Sequence, residues 1–234
     1  MDRITRNKLK TDRFAVEVEH SVEYVSEHKK QVTMYGAIGL VVVLIVGGIV
    51  YYRDRQHDQR QLELAQAMDV MQAVITVVQP VGGGAFYPTE AARTAAAEKA
   101  FTAVTSKYSG SSEATVANSY LGALAMDQNK LADAEKYFQK VSESGDKNYA
   151  SMGKLSLAQV YLSTNRPAEG EKLLRSLYDN PTLFVSKEQA AIALARALST
   201  SKPAEARKLL DPLRSERPAV GQVAITLLAQ LPPQ

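Results

Sequence analysis

Apolar residues recur at helical spacing through most of the second half of the chain, in pairs of segments separated by short polar breaks. Residues 118–141 show the unit, with apolar positions on both sides of a polar break at 127–129. Later breaks contain Pro167 and Pro203 near the start of the next helix, where proline is tolerated. Each unit is therefore predicted to be a hairpin of two helices.

The hairpin sequence repeats at a fixed offset. LSTNRPAEGEKLLRSL begins at Leu162, and LSTSKPAEARKLLDPL begins 36 residues later at Leu198. The same offset backwards reaches MDQNKLADAEKYFQKV at Met126, and AEKAFTAV at Ala97 matches AEKYFQKV at Ala134. Such a series predicts stacked hairpins, because one hairpin cannot bury its own apolar face.

A different pattern occupies residues 34–52, which contain no charged residue and are rich in Val, Ile, Leu and Gly. With a rise of about 1.5 Å per residue, a helix of this length covers a hydrocarbon core of about 30 Å. Tyr35 and Tyr51 fit aromatic belts at its two ends. This pattern favours an uncleaved transmembrane anchor over a buried core helix or a cleaved signal peptide.

The tail before the span, residues 1–33, is expected to stay in the cytoplasm and the C-terminal domain to lie outside. The tail carries more Lys and Arg than the first stretch after the span, although the residues nearest the span favour the reverse by one charge. An amphipathic helix is predicted in the tail, either resting on lipid headgroups or forming a docking face for a partner. Its cap is Thr11, and its apolar positions are Phe14, Val18, Val22 and Val25.

The rest of the chain, residues 53–234, is predicted to be one repeat domain. Its first helix is expected to run over 53–78 and to end before QPVGGGAFYPTE. The apolar stripe of that helix is predicted at Leu62, Ala65, Met68, Met71 and Ile75. The predicted repeats lie near 55–108, 112–146, 149–181 and 186–218, with a capping helix at 219–231. Ser186 with Gln189 is a capping box that opens the last repeat.

Composition narrows the function. Lys and Arg number 28 and Asp and Glu number 25, giving a net charge of +3 without a basic stripe, so no nucleic-acid partner is expected. The absence of cysteine removes thiolate chemistry and zinc-thiolate sites. His20, His28 and His57 all lie outside the repeats, so metal and histidine-base chemistry is not expected there.

The glycine run at 82–84 does not indicate a phosphate loop, because it lacks the Gly-Lys-Ser/Thr ending and does not follow a strand pattern. A turn is predicted instead. Phe86 and Tyr87 beside it are expected to cover the end of the stack, with contact to a ligand as the alternative. No catalytic group, cofactor, metal or small-molecule substrate is predicted, and the protein is not expected to be an enzyme.

The repeats resemble the tetratricopeptide family, whose pattern has a small residue after a leucine and an Ala-x-x-x-Phe motif in the second helix. The period of 36 exceeds the 34 typical of the family, and the early aromatic residue is absent, so the repeats are degenerate. The resemblance implies an all-α fold, with an N-terminal transmembrane helix followed by an α-solenoid. The matching positions are Leu121, Gly122, Ala125, Ala134 and Phe138, then Leu157, Ala158, Tyr161, Gly170 and Leu174, then Ala206, Leu210 and Pro218.

The same resemblance implies a protein-binding groove, because the first helices of these hairpins line a concave surface. The Lys, Arg and Asn clamp that some members use for a peptide carboxylate is missing, and Met and Leu suit apolar or extended segments. The alternative is that the first hairpin or the loop at Gly82 fills this surface. The implied groove positions are Val116, Ser119, Ala123, Met126, Met152, Leu155, Gln159, Leu162, Glu188, Ala191 and Ala195.

The order of tail, span and degenerate repeats resembles bacterial inner-membrane proteins of the family represented by the ancillary subunit of the SecYEG translocon. This implies a single-pass adaptor with a periplasmic C-terminal domain. Its partners would be the bilayer, translocon subunits, periplasmic chaperones or client chains. The alternative is a structural scaffold for cell-envelope assembly or division.

Overall fold

The structure is a computed structural model that describes residues 29–80 and 83–232. Within those ranges the chain forms nine α-helices, one 3-10 helix and a two-stranded sheet. The chain divides into two compact units, with the division between Asp58 and Gln59. The predicted tail helix and Gly82 lie outside the described residues.

The described part of the first unit lies in helix α1 (Lys29–Gln72). Residues Lys29–Ile49 have a mean hydropathy of 2.3, and none of this stretch is buried in the protein. Among the described helices, this is the one long and apolar enough to cross a membrane. The prediction of one such N-terminal helix is confirmed.

The second unit is a series of helices in which each packs mainly on its neighbours in sequence. This arrangement confirms the predicted α-solenoid. Its elements after α1 are β1 (Val74–Ile75), β2 (Phe86–Tyr87), α2 (Glu90–Lys107), α3 (Ser112–Asp127), α4 (Leu131–Ser142), α5 (Lys147–Ser163), α6 (Pro167–Asp179), α7 (Lys187–Leu198), α8 (Pro203–Leu210), a 3-10 helix (Asp211–Ser215) and α9 (Pro218–Gln230).

Helix α1 ends at Gln72, so the prediction that it continues to residue 78 is wrong. Residues 74–78 are all β-branched, and such side chains lose rotamer freedom in a helix but fit an extended strand. Strands β1 and β2 pair in parallel, with Val74 opposite Phe86 and Ile75 opposite Tyr87. The segment between α1 and α2 is therefore a small sheet.

The predicted apolar stripe of α1 is only partly correct. Met68 and Met71 pack against a cluster of buried residues from α1, α2 and α3, which includes Ala67. Leu62 and Ala65 are exposed instead. The buried side of α1 is therefore rotated from the predicted one.

The helix starts and turns explain why the repeat unit is so regular. Pro167 and Pro203 lie at the first turns of α6 and α8, and the Ser186 hydroxyl accepts a hydrogen bond from the Gln189 amide at 3.2 Å, as predicted. Asn129 and Asn165, 36 residues apart, have φ of 58° and 57°. Asparagine tolerates this left-handed conformation, which ends a helix sharply.

Equivalent core positions are filled in each copy. Phe138, Leu174 and Leu210 are all buried. A Cβ atom placed on Gly122 would lie 2.6 Å from Cε1 of Phe138, closer than real Cβ contacts allow. The prediction that a small residue at this position lets α3 and α4 approach, with Phe138 filling the contact, is confirmed.

Candidate functional site

A groove of about 590 Å³ lies between α3 and α5, and Phe138 of α4 also lines it. We call it the α3–α5 groove. Its lining is apolar, hydroxyl-bearing or amide-bearing except for the Asp127 carboxylate. The lining residues are Val116, Ser119, Tyr120, Ala123, Met126, Asp127, Phe138, Tyr149, Met152, Gly153, Ser156 and Gln159.

Six of the residues that the sequence places in a groove meet here. On α3, successive positions spaced three and four residues apart form one face of the helix. On α5, Met152 and Gln159 are seven residues apart, which is about two turns. The six residues are Val116, Ser119, Ala123, Met126, Met152 and Gln159.

The other predicted positions lie elsewhere. Leu155 and Leu162 are half-buried and pack against a cluster of buried residues from α5 to α9, which we call the C-terminal core cluster. Ala191 and Ala195 are buried members of the same cluster. In the last repeat, the first helix thus contributes alanines to the core instead of to the groove.

Glu188 lies in the first turn of α7, half-buried and away from the groove. A hydrogen bond from the Ser186 hydroxyl, followed by one from its own backbone amide, holds the pKa of this carboxyl below its usual value. A negative charge is favourable at a helix N-terminus. Its position indicates a contribution to the start of α7.

Two tyrosines that line the groove are absent from the predicted set. Tyr120 stacks on Phe101 with ring centroids 4.9 Å apart and planes 5° apart. Tyr149 meets Phe184 edge to face at 5.3 Å. The available signal was their position beside predicted groove residues, since an aromatic ring reaches beyond a single helical stripe.

The groove is open to solvent. Met152 is 37% exposed, and Ala123 is also exposed. In the part of the chain that the structure describes, all lining residues come from α3, α4 and α5, and the first hairpin supplies none. Residues 81 and 82 of the loop lie outside the described ranges.

Ion pairs connect successive hairpins. Arg166 Nη1 donates to Glu135 at 2.8 Å, and 36 residues later Lys202 Nζ donates to Glu171 at 2.8 Å. We call these two pairs the inter-hairpin ladder. Hydrogen bonds from Lys202 and then Arg175 hold the pKa of Glu171 below its usual value.

Arg166 also donates two hydrogen bonds to Glu169, which lower the pKa of that carboxyl. The ladder residues do not line the α3–α5 groove. The contacts of the ladder therefore indicate alignment of neighbouring hairpins.

The chemistry offered by the groove is that of a contact surface. Among the described residues, no three His, Asp or Glu side chains group together as a metal site would require. Ser119, Ser156 and Gln159 supply polar contacts, while Met126 and Met152 supply flexible apolar ones. This mixture suits a polypeptide segment with apolar side chains, because methionine and aromatic residues are enriched at protein–protein interfaces.

Comparison with known proteins supports the fold. The family model described as a tetratricopeptide repeat-like domain matches residues 27–207. Among curated proteins and among solved structures, no match to the chain was found. Since the matched region covers well over half of the sequence, the chain belongs to the tetratricopeptide repeat-like domain family.

Proposed function

We propose that the protein is a membrane-anchored adaptor that binds other proteins through the α3–α5 groove. Family membership implies protein partners, because this fold typically serves as a scaffold for protein interaction. Helix α1 supplies a segment able to hold the domain at a bilayer. The partners we propose are subunits of the inner-membrane translocon, with hand-over of emerging chains to periplasmic chaperones.

The open groove between α3 and α5 is the observation that carries this proposal. It combines an exposed thioether, Met152, with two tyrosine rings, Tyr120 and Tyr149. Aromatic residues and methionine are enriched where proteins bind one another. The lining of the groove also comes from two successive hairpins, which suits a segment that crosses from one hairpin to the next.

An extended apolar segment is the occupant that fits best. A charged side chain entering the groove would lose hydration, and Asp127 is the one charged residue among those that the structure describes in its lining. A basic residue at that end is compatible with the Asp127 carboxylate, whereas an acidic one would be repelled. Newly translocated chains expose such apolar segments before folding.

A pair of matched substitutions tests the groove. Ala123 and Ala132 are both exposed helical alanines, but only Ala123 lines the groove. In the full chain, crosslinked in native membranes, we expect Ala123→Glu to reduce partner recovery by about tenfold, since 1.4 kcal/mol of lost binding energy suffices. Ala132→Glu should leave recovery unchanged, and both variants should melt like the wild type.

Equal partner recovery by Ala123→Glu and Ala132→Glu would remove the groove from the proposal. The identity of the recovered proteins tests the rest of it. Translocon subunits and chaperones are expected. Recovery of division or wall-synthesis proteins instead would favour the alternative role as an envelope scaffold.

The proposal also requires the repeat domain to lie in the periplasm. Protease added to intact spheroplasts should digest the domain and spare the N-terminal tail. Protection of the domain until the spheroplasts are lysed would contradict this topology, and with it any contact with periplasmic chaperones.

A further inference from the structure

The loop between α6 and α7 presents two large apolar side chains to solvent. Leu183 is 89% exposed and Phe184 is 45% exposed. Phe184 meets Tyr149 edge to face, and Tyr149 lines the α3–α5 groove. The apolar surface of the groove therefore continues onto this loop, and we call Leu183 and Phe184 the apolar rim.

Hydrogen bonds fix this loop to α5. The Leu183 amide donates to Asn148 Oδ1 at 3.3 Å, and the Thr182 hydroxyl lies 2.7 Å from the Ser151 hydroxyl. The Thr182 amide also donates to the carbonyl of Val185, a residue that is fully buried. Since these contacts order the loop in advance, a partner that binds to the apolar rim avoids most of the entropy cost of ordering it.

Asp127 lies at the opposite end of the groove. Helices α3, α4 and α5 follow one another through short turns, so α3 and α5 run in the same direction. Tyr149 is in the first turn of α5, whereas Asp127 is the last residue of α3. The groove side of α3 from Val116 to Asp127 is about 16 Å long, which about five residues of extended polypeptide cover.

The Asp127 carboxylate makes that end of the groove negative. It is exposed, and no ion pair to it is formed within the described part of the chain. The equivalent residues of the next two copies are Ser163 and Ser199, so the charge is specific to this copy. The C-terminal end of a helix also favours a cation. Asp127 is therefore available to a basic group of a partner.

We propose that the α3–α5 groove selects a partner segment with two features. One is a Lys or Arg side chain that pairs with Asp127, and the other, about five residues away, is an apolar side chain that packs on the apolar rim. Apolar contact contributes affinity, and the charge pair fixes the direction and register of the segment. This inference rests on the proposed function of the groove and specifies the chemistry of its partner.

Synthetic peptides test the basic residue, with the full chain purified in detergent. Three labelled peptides share one apolar sequence with a leucine, and the residue five positions from that leucine is Lys, Gln or Glu. Each is made in both sequence directions. In one direction, the Lys peptide should bind about two- to fivefold more tightly than the Gln peptide and about tenfold more tightly than the Glu peptide. This preference should shrink in about 1 M salt.

Charge reversal tests Asp127 itself. In Asp127→Lys the order should invert, so that the Glu peptide binds more tightly than the Lys peptide. Asp179→Lys is the matched control, because Asp179 is also exposed at the last position of its helix but does not line the groove. This control should keep the wild-type order.

Leu183→Ser tests the apolar rim. It should weaken binding of the leucine peptides about fivefold, and it should not affect a peptide with serine in place of the leucine. Leu62→Ser is the control, because Leu62 is 60% exposed and does not line the groove. Since all these substitutions are at exposed positions, the variants should melt like the wild type.

Four results would overturn the inference. They are equal binding of the Lys, Gln and Glu peptides, binding of none of them, equal behaviour of Leu183→Ser and Leu62→Ser, and an effect of Asp127→Lys on self-association of the chain without one on peptide preference. The last would assign this surface to contact between copies. Failure of the groove itself is a separate result, in which Ala123→Glu recovers partners from membranes as well as Ala132→Glu does.

Discussion

The segments that begin at Leu162 and Leu198 are almost the same in sequence but differ in structure. Each supplies the end of one helix, a turn and the start of the next helix at a proline. From the first, α6 continues for 13 residues, whereas from the second, α8 stops after 8 and a 3-10 helix follows. Shared sequence therefore specifies the start of the second helix, and individual residues determine where it ends.

Pro212 explains the shorter helix. It stands 36 residues after Ser176, which lies inside α6. A proline inside an α-helix lacks the amide hydrogen bond to the residue four positions earlier and clashes with its carbonyl. The last repeat therefore turns into the 3-10 helix Asp211–Ser215 and leads to α9, which caps the stack.

The ion pairs also change between the two copies. Glu171 accepts hydrogen bonds from Lys202 of the next hairpin, but the equivalent residue in the last copy is Arg207. Arg207 donates to the backbone carbonyl of Pro232 at 3.0 Å. No further hairpin follows the last copy in the described chain. The position that is Glu171 in the earlier copy is therefore a positively charged arginine there, and it contacts the C-terminal segment instead.

The largest expected effect tests whether the two copies share one core. Leu174→Ala and Leu210→Ala should each lower the free energy of unfolding by about 2–5 kcal/mol, because each removes a fully buried side chain at the equivalent position. Phe138→Ala, in the preceding copy, should cost about 3–5 kcal/mol. Chemical denaturation measures the three variants.

Leu183→Ala is the control for these truncations, because Leu183 is exposed. Its unfolding free energy should stay within about 0.5 kcal/mol of the wild type. If Leu210→Ala behaved like Leu183→Ala while Leu174→Ala was strongly destabilised, the last copy would not be part of the same cooperative core.

These differences show which features the sequence alone can predict. The hairpin starts follow from Pro167 and Pro203, whose fixed φ suits a first helical turn, and the tight contact of α3 with α4 follows from Gly122 and Phe138. The strand at Val74–Ile75 could not be obtained from spacing, because Met68, Met71 and Ile75 continue a helical period. The signal there was the β-branched character of the segment.

The groove was predictable on α3 but less so on α5. Helix α3 places its groove residues at a regular spacing on one face. Helix α5 has apolar residues on two sides, with Met152 at the groove and Leu155 in the core. Periodicity identifies both sides as apolar, and only the packing of the following hairpins determines which one is covered.

Exchanging residues between the copies tests the role of proline. Ser176→Pro should destabilise the domain by about 3 kcal/mol, since it places proline inside α6. The reverse exchange, Pro212→Ser, should cost only about 0.4–1 kcal/mol, mainly through greater freedom of the unfolded chain. Hydrogen exchange should show slower exchange at residues 211–215 in Pro212→Ser, as α8 extends.

Similar costs for the two exchanges would contradict this explanation. They would mean that the end of α8 is determined by the packing of α9 and not by Pro212. Unchanged exchange at residues 211–215 in Pro212→Ser would lead to the same conclusion.

The smallest expected effect concerns the ladder, which Glu171 takes part in and Arg207 does not. Because the folded state holds the pKa of Glu171 below its unfolded value, the charged carboxylate stabilises the fold above that unfolded value, near pH 4.5. This stabilisation is lost as the pH falls through the folded pKa. Since Lys202 is 48% exposed and solvent screens the pair, Glu171→Gln should cost only about 0.2–1 kcal/mol at pH 7.

The difference in unfolding free energy between wild type and Glu171→Gln should shrink below pH 4.5 and in about 1 M salt, where the Debye length is about 3 Å. Glu216→Gln controls for loss of one exposed carboxylate, and denaturation of the three proteins between pH 3 and 7 measures the effect. A constant difference between wild type and Glu171→Gln over that range would show that Glu171 acts through packing and not through its charge.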